Sequence, residues 1–186
     1  NDLTDEAKLA KIEKYENISD NMELEIANYL NMVSEGRLSS EGKLEIRGML
    51  REVTEIESIG DSCYNLARTI NRKRSGGNDF TEKQYEHIHQ MMQLTNDALA
   101  HMIAVVEDDH HVVDVNKSFN IENEINNYRA QLKNQNVVDV NNKEYDYQMG
   151  VHYMDIIGEC EKLGDYVVNV VEARTNVKEK KTGDNR

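Results

Sequence analysis

The stretch LEIRGMLREVTEIESIGDSCYNLARTI, residues 44–70, decides the fold. Within it Ile46, Leu50, Val53, Ile56, Gly60, Cys63, Ala67 and Ile70 recur at spacings of three and four, which sets them along one face of an α-helix. Helix signals continue in both directions. Upstream, a helix over about Asp5–Glu35 ends at Gly36, and the quoted helix itself begins near Ser39–Ser40 and reaches Arg74 before Ser75-Gly76-Gly77, a C-cap and turn. Downstream, Thr81-Glu82-Lys83-Gln84 has the spacing of a capping box and opens a third helix to about Glu107. A fourth is expected over about Asp114–Gln135, and a fifth from Asn141-Asn142 to about Asn176. The 186 residues include no proline, where average usage of about 5% would give roughly nine. Proline breaks helix interiors, so its absence agrees with long helices. Short connections make neighbours antiparallel. The expected fold class is an all-α antiparallel helical bundle.

Charge narrows the function. The net charge is −13, from 35 acidic and 22 basic residues. No basic stripe exists to neutralise nucleic-acid phosphates, and free phosphate or an anionic lipid surface is repelled by the same field. A phosphate-related role therefore needs a bridging metal or an indirect mechanism. No run approaches the roughly 18 apolar residues of a membrane span, so this segment is not expected to insert directly into a membrane. No signal peptide precedes Asn1 and no methionine starts the chain, which reads as a piece of a longer protein or a processed one. Cys63 and Cys160 lie inside helical patterns, as expected of reduced thiols in a cytosolic compartment.

The chain also repeats itself. Glu57-Ser58-Ile59-Gly60-Asp61, followed by Asn65-Leu66, returns 104 residues later as Glu161-Lys162-Leu163-Gly164-Asp165, followed by Asn169-Val170. Met22-Glu23-Leu24-Glu25-Ile26-Ala27-Asn28-Tyr29 returns 99 residues later as Ile121-Glu122-Asn123-Glu124-Ile125-Asn126-Asn127-Tyr128. The boundaries are 1–76 for the first unit, 77–177 for the second and 178–186 for a frayed tail. The helix opened by Thr81 precedes the second repeated pair, and nothing equivalent precedes the first. An exposed apolar groove or an oligomer contact is expected at that position.

Glu57 and Asp61 are one turn apart on one helix face, within about 60° of Ile46, Leu50, Val53 and Tyr64. Glu161 and Asp165 repeat the arrangement beside Met154 and Ile157. Charges flanking a core need partners, and facing carboxylate pairs form an oxygen-rich site for Mg, Mn, Ca or Fe ions. Salt-bridged rim carboxylates are the competing reading, with Arg68 and Arg72 on the side of Asp61. Glu16, Asp20 and Glu23 form another acidic face, turned about 100–160° from the stripe of Met22, Ile26 and Tyr29; taken alone, it reads as a solvated face. At the 99-residue spacing Val115 and Phe119 replace Glu16 and Asp20, while Glu124 and Asn127 keep some polar capacity. Gly60 and Gly164, each costing about 1 kcal/mol in a helix interior, read as sites of close helix–helix approach.

Glu86-x-x-His89 and Glu107-x-x-His110 have the pattern of di-iron carboxylate bundles. Their starts are 21 residues apart, about 31 Å along one helix, so they cannot share a centre within the chain. His110-His111 falls at a helix end, where exposure is the default. No nucleophile elbow, phosphate-binding loop, dinucleotide fingerprint or Cys-x-x-Cys motif is present, and nothing argues for an enzyme. Alternatives from other classes are a carboxylate-bridged metalloenzyme and a purely structural bundle.

Together, Glu57-Ser-Ile-Gly-Asp61-Ser-Cys-Tyr-Asn65-Leu-Ala67, Glu161-Lys-Leu-Gly-Asp165 and Glu16-Asn-Ile-Ser-Asp20-Asn-Met-Glu23 resemble the motifs of the PhoU family of phosphate-uptake regulators. The resemblance is nearest to the PhoU-like C-terminal region of bacterial sodium/phosphate cotransporters. It implies tandem three-helix units, here lacking the first helix of the first unit, and a non-catalytic regulatory role in phosphate uptake. It also implies divalent or iron-type metal ions on Glu16, Asp20, Glu57, Asp61, Glu161 and Asp165. The implied setting is the cytoplasmic face of the inner membrane. The implied partners are the transporter portion of the same parent chain, another transporter or signalling protein, and further copies of the chain.

Overall fold

The structure is a computed structural model that describes residues 5–75, 79–108 and 112–183, with side chains described for 6–73, 79–108 and 112–175. Five helices follow in order: α1 (Asp5–Ser34), α2 (Ser40–Ser75), α3 (Glu82–Glu107), α4 (Asn116–Asn141) and α5 (Tyr147–Gly183). Among the described residues there is no strand. The Thr81 hydroxyl accepts from the Gln84 amide at 3.2 Å, and the Gln84 side chain accepts from the Thr81 amide at 3.0 Å. The expected capping box is therefore present.

Three boundaries differ from the sequence reading. α4 continues past Gln135 through Val137-Val138-Asp139-Val140, three valines and an aspartate of modest helix propensity. Packing onto α5 overrides that preference: an added Cβ at Gly150 of α5 would stand 2.9 Å from both Asn136 Oδ1 and Val140 Cγ2. The helix ends where Lys143 turns to φ 61°. α5 then starts at Tyr147, because the Asp146 carboxylate accepts from the Met149 amide at 2.7 Å and caps the first turn. Its backbone helix runs to Gly183, beyond the expected end. The Gly76-Gly77 turn and His110-His111 lie outside the described residues.

α3, α4 and α5 pack mutually, α2 lies along α5, and α1 packs on α2 alone. The core is concentrated in the first of these groups. Met91, Ile125, Ile157, Cys160, Val170 and Val171 are completely buried, and each large apolar side chain so placed contributes about 1.5–3 kcal/mol. Ile59 from α2 joins them, whereas Ile56, expected in the same stripe, remains 40% exposed. The apolar residues of α2 serve two neighbours: Ile59, Cys63, Leu66 and Ile70 meet the core on α5, while Gly60 approaches α1.

Polar contacts show that α2 and α5 are antiparallel, since low numbers on one meet high numbers on the other. Arg51 pairs with Glu172 at 3.1 Å, Asn169 donates to Glu55 at 3.0 Å, and Ser62 donates to Glu159 at 3.2 Å. At the far end of α2 the buried Lys73 ammonium contacts Asp79 at 2.6 Å and lies 4.0 Å from the Phe80 ring centre. Lys73 and the Tyr85 hydroxyl both donate to Asp79, holding its carboxyl down at about 2. This clasp ties the end of α2 to the start of α3.

Candidate functional site

The acidic face of α1 turns inward. Glu16, Ser19, Asp20, Glu23, Ala27 and Leu30 are among the less exposed positions of α1, whereas Met22 and Tyr29 are 56% and 67% exposed. The solvated-face reading of this stretch is thereby corrected. α2 offers α1 a face that carries its own carboxylates, and short polar side chains admit the close approach. An added Cβ at Gly60 would stand 3.3 Å from the Ser19 hydroxyl, so the two helices come nearest there.

Around that crossing the structure gathers Glu16, Asp20 and Glu23 from α1 with Glu57 and Asp61 from α2. Thr54 donates to Glu23 at 2.9 Å, and Asn65 contacts Asp61 at 3.4 Å. Partial burial, then the charges of Glu23 and Asp20, raise the Glu57 carboxyl above its ordinary 4.5. Glu16 is raised as well, by desolvation first and then by Asp20 and Asp61. Arg68 stacks over the Tyr64 ring at 5.5 Å, turned to the aromatic face of its neighbour. Among the described residues no three carboxylate, histidine or cysteine side chains converge tightly enough to hold one metal ion as they stand. The donor chemistry itself, carboxylate oxygens from two helices, is that of a hard-cation site.

The matching crossing in the second half changes the reading of the repeat. Gly164 faces Ile125, whose Cδ1 would lie 3.2 Å from an added Cβ. Gly60 faces Ser19 and Gly164 faces Ile125, so α4 follows α1 at a spacing of 106 residues, not 99. In this register Glu122, Asn126 and Arg129 stand for Glu16, Asp20 and Glu23, and the counterparts Val115 and Phe119 are withdrawn. The signal in the sequence was Glu16-Asn17 returning as Glu122-Asn123; the longer apolar match two turns away masked it.

Arg129 is the substantive difference. Its Nε lies 3.3 Å from the Glu161 carboxylate, and its charge opposes the rise that desolvation imposes on Asp165. Asn126 donates to Glu122 within α4 at 2.5 Å. The second crossing thus supplies its own cation, while the first leaves five carboxylates facing one another.

Two histidines of α3 have packing roles, whereas His89 of the Glu86-x-x-His89 pattern is exposed. His87 Nδ1 lies 2.9 Å from the Tyr153 hydroxyl, and His101 Nε2 lies 3.0 Å from the Asp114 carbonyl. Burial lowers both imidazoles below 6.5. A polar cavity of about 150 Å³ beside His87 is bounded by Lys83, Gln84, Asp139, Tyr145 and Tyr153.

Residues 88–173 match the family model of the PhoU domain. No curated relative matches the chain. Among solved structures, the chain is similar to the phosphate transport system regulatory protein PhoU from Streptococcus pneumoniae, with a TM-score of 0.74 and 18% identity. That alignment covers 94% of this chain and 80% of the other. At this identity the structural likeness establishes fold: residues 88–173 carry the PhoU domain match in sequence, and 94% of the chain shares the helical-bundle architecture of that PhoU structure.

Proposed function

We propose that the chain is a non-catalytic regulatory module of phosphate uptake that works through protein contacts, as the cytoplasmic tail of a sodium-dependent phosphate transporter. The observation that carries this reading is the PhoU domain match over residues 88–173 on a bundle of PhoU architecture. The acidic surface supports it, since a field that repels phosphate favours action on a partner over direct capture. No described helix is long and apolar enough to cross a membrane, so membrane attachment in this reading comes from a partner or from another part of a longer protein.

Within the proposal, Glu16, Asp20, Glu57 and Asp61 take a hard divalent or iron-type cation, which would relieve the mutual repulsion of the first crossing. Glu161 and Asp165 are weaker ligands, because Arg129 already provides positive charge there. Function is tested by phosphate uptake in cells that carry the chain and in cells that lack it. Loss of restraint on uptake is expected, together with co-purification of the chain with the transporter; unchanged uptake and no transporter in the eluate overturn the reading. The metal is tested by thermal unfolding with added Mn or Mg. A rise in Tm is expected for the wild type and not for Glu57→Gln/Asp61→Asn. Equal behaviour of the two removes the metal and leaves the regulatory reading standing.

A further inference from the structure

The polar cavity of about 150 Å³ lies where the start of α3, the end of α4 and the α4–α5 connection meet Tyr153 of α5. One group in its wall is fixed and unpaired. The Gln84 carboxamide oxygen accepts from the Thr81 amide at 3.0 Å. A backbone N–H can only donate, so the capping box decides which end of the carboxamide is which. The amino end, Nε2, is left as a donor, and it has no hydrogen-bond partner although Gln84 is only 2% exposed. A buried donor of this kind calls for an acceptor. The nearby Tyr145 hydroxyl is committed, since it donates to Asn136 Oδ1 at 2.9 Å. Burial first and then Asp139 hold the Tyr145 phenol up at about 12, while the Gln84 amide pulls the other way. Gln84, Tyr145 and Asp139 therefore converge on one point of the wall.

The rest of the wall is acidic. Asp139 accepts from Gln135 at 2.7 Å, and the Lys83 ammonium stands 3.9 Å from it, too far for a hydrogen bond. Glu144 adds a second carboxylate. His87 adds no charge at neutral pH, because burial holds its imidazole below 6.5. Among the described residues the lining thus sets two carboxylates against one ammonium, inside a chain whose net charge is −13. That field draws in a cation and repels an anion, free phosphate included. Size sets the remaining limit. A cavity of this volume holds about six non-hydrogen atoms, the size of benzene. The occupant is therefore small, offers an oxygen to Gln84 and brings positive charge to Asp139.

We propose that this cavity binds a small primary ammonium compound, an amino amide or amino alcohol, whose oxygen accepts from Gln84 Nε2 while its ammonium faces Asp139 and Glu144. The capping box orients the donor before the ligand arrives, so binding costs no reorientation of Gln84. The site lies in the second half, apart from the carboxylates of the first crossing, and stands independently of the regulatory reading.

Two-dimensional NMR of the isotope-labelled chain tests the site, with glycinamide as the probe. A saturable shift of the Gln84 side-chain amide pair is expected, while the pairs of the exposed Gln90 and Gln93 stay in place. Acetamide, which has the oxygen but no ammonium, binds about tenfold more weakly, and inorganic phosphate does not bind. Gln84→Met keeps the length of the side chain and removes the donor. Asp139→Asn keeps an acceptor for Gln135 and removes the charge. Each weakens glycinamide about tenfold, read from the backbone amides of His87 and Tyr145. The two variants lie on different helices, so if one fails to fold the other still decides. No saturable shift with glycinamide overturns the proposal and leaves water alone in the cavity. Acetamide or phosphate binding as well as glycinamide overturns it too, as does glycinamide binding that neither variant weakens.

Discussion

The two halves place the same crossing, a glycine on one helix against a small or apolar residue on the next, in opposite surroundings. In the second half three helices close around Ile125, Ile157 and Val170, all fully buried, and Arg129 meets the carboxylate beside the crossing. Among the described residues of the first half only Leu30, Ile46 and Ile59 are buried hydrophobics, and carboxylates meet carboxylates. One scaffold therefore carries stability at one end. At the other it carries uncompensated charge and exposed apolar surface. Features that cost stability tend to sit where a protein meets something else, so the protein contacts proposed above are assigned to the first half.

The comparison breaks first, if it breaks, on packing. Ile157→Ala should cost about 3 kcal/mol, the usual range for emptying a full core site, whereas Ile56→Ala should cost less than about 1 kcal/mol. Urea denaturation of both variants decides it, and similar losses would mean that the halves are equally packed. Arg129→Glu rebuilds the first-half charge pattern in the second half. It should lower stability by about 1–2 kcal/mol, discounted because both partners are partly exposed, and the loss should shrink in high salt.

The glycines sharpen the contrast. At Gly60 a methyl group meets a serine hydroxyl in a thinly packed half, so Gly60→Ala should be neutral or gain up to about 1 kcal/mol from helix propensity. At Gly164 the methyl group presses on Ile125 in a closed core, so Gly164→Ala should lose about 1 kcal/mol. Matched melting curves of the two variants check the difference in sign.

The smallest effect is electrostatic. Glu57→Gln should raise stability by about 0.5 kcal/mol at neutral pH without divalent ions, solvent screening most of the repulsion. The pH dependence follows from the same group. Its folded carboxyl titrates above the ordinary 4.5, so between those values the folded state holds more protons than the unfolded one. Its contribution to stability is therefore fully present below 4.5 and is lost as pH rises through the raised value. Tm should fall over that window in the wild type, and less steeply in Glu57→Gln; identical slopes would show that the carboxylates do not feel one another.

The helices were legible from residues alone because their signals are local. Thr81 and Gln84 cap α3 through contacts three residues apart, and Gly36 lies two residues past the end of α1. Asp146 as a cap was missed because Asn141-Asn142 offered a turn a few residues earlier. The inward face of α1 was not legible, since hydrophobicity marks Met22 and Tyr29 as core, and only the shape of α2, with Gly60 at the crossing, selects the acidic side instead. Glu16, Asp20, Glu57 and Asp61 were readable as residue types, and the structure draws them together. Arg129 was not, because its role depends on a register that two competing sequence matches left seven residues apart.

The seam between α2 and α5 joins residues 97 to 121 positions apart, as in Ser62–Glu159 and Arg51–Glu172. During synthesis α2 therefore leaves the ribosome long before the surface that shelters it exists. At roughly 5–20 residues per second, the wait lasts on the order of 5–20 s. For that interval Ile59, Leu66 and Ile70 have no core to join, while α3, α4 and α5 close among themselves from nearby segments. The seam is then the late event in folding, and the pair α1–α2 arrives as a finished arm laid onto an already assembled body.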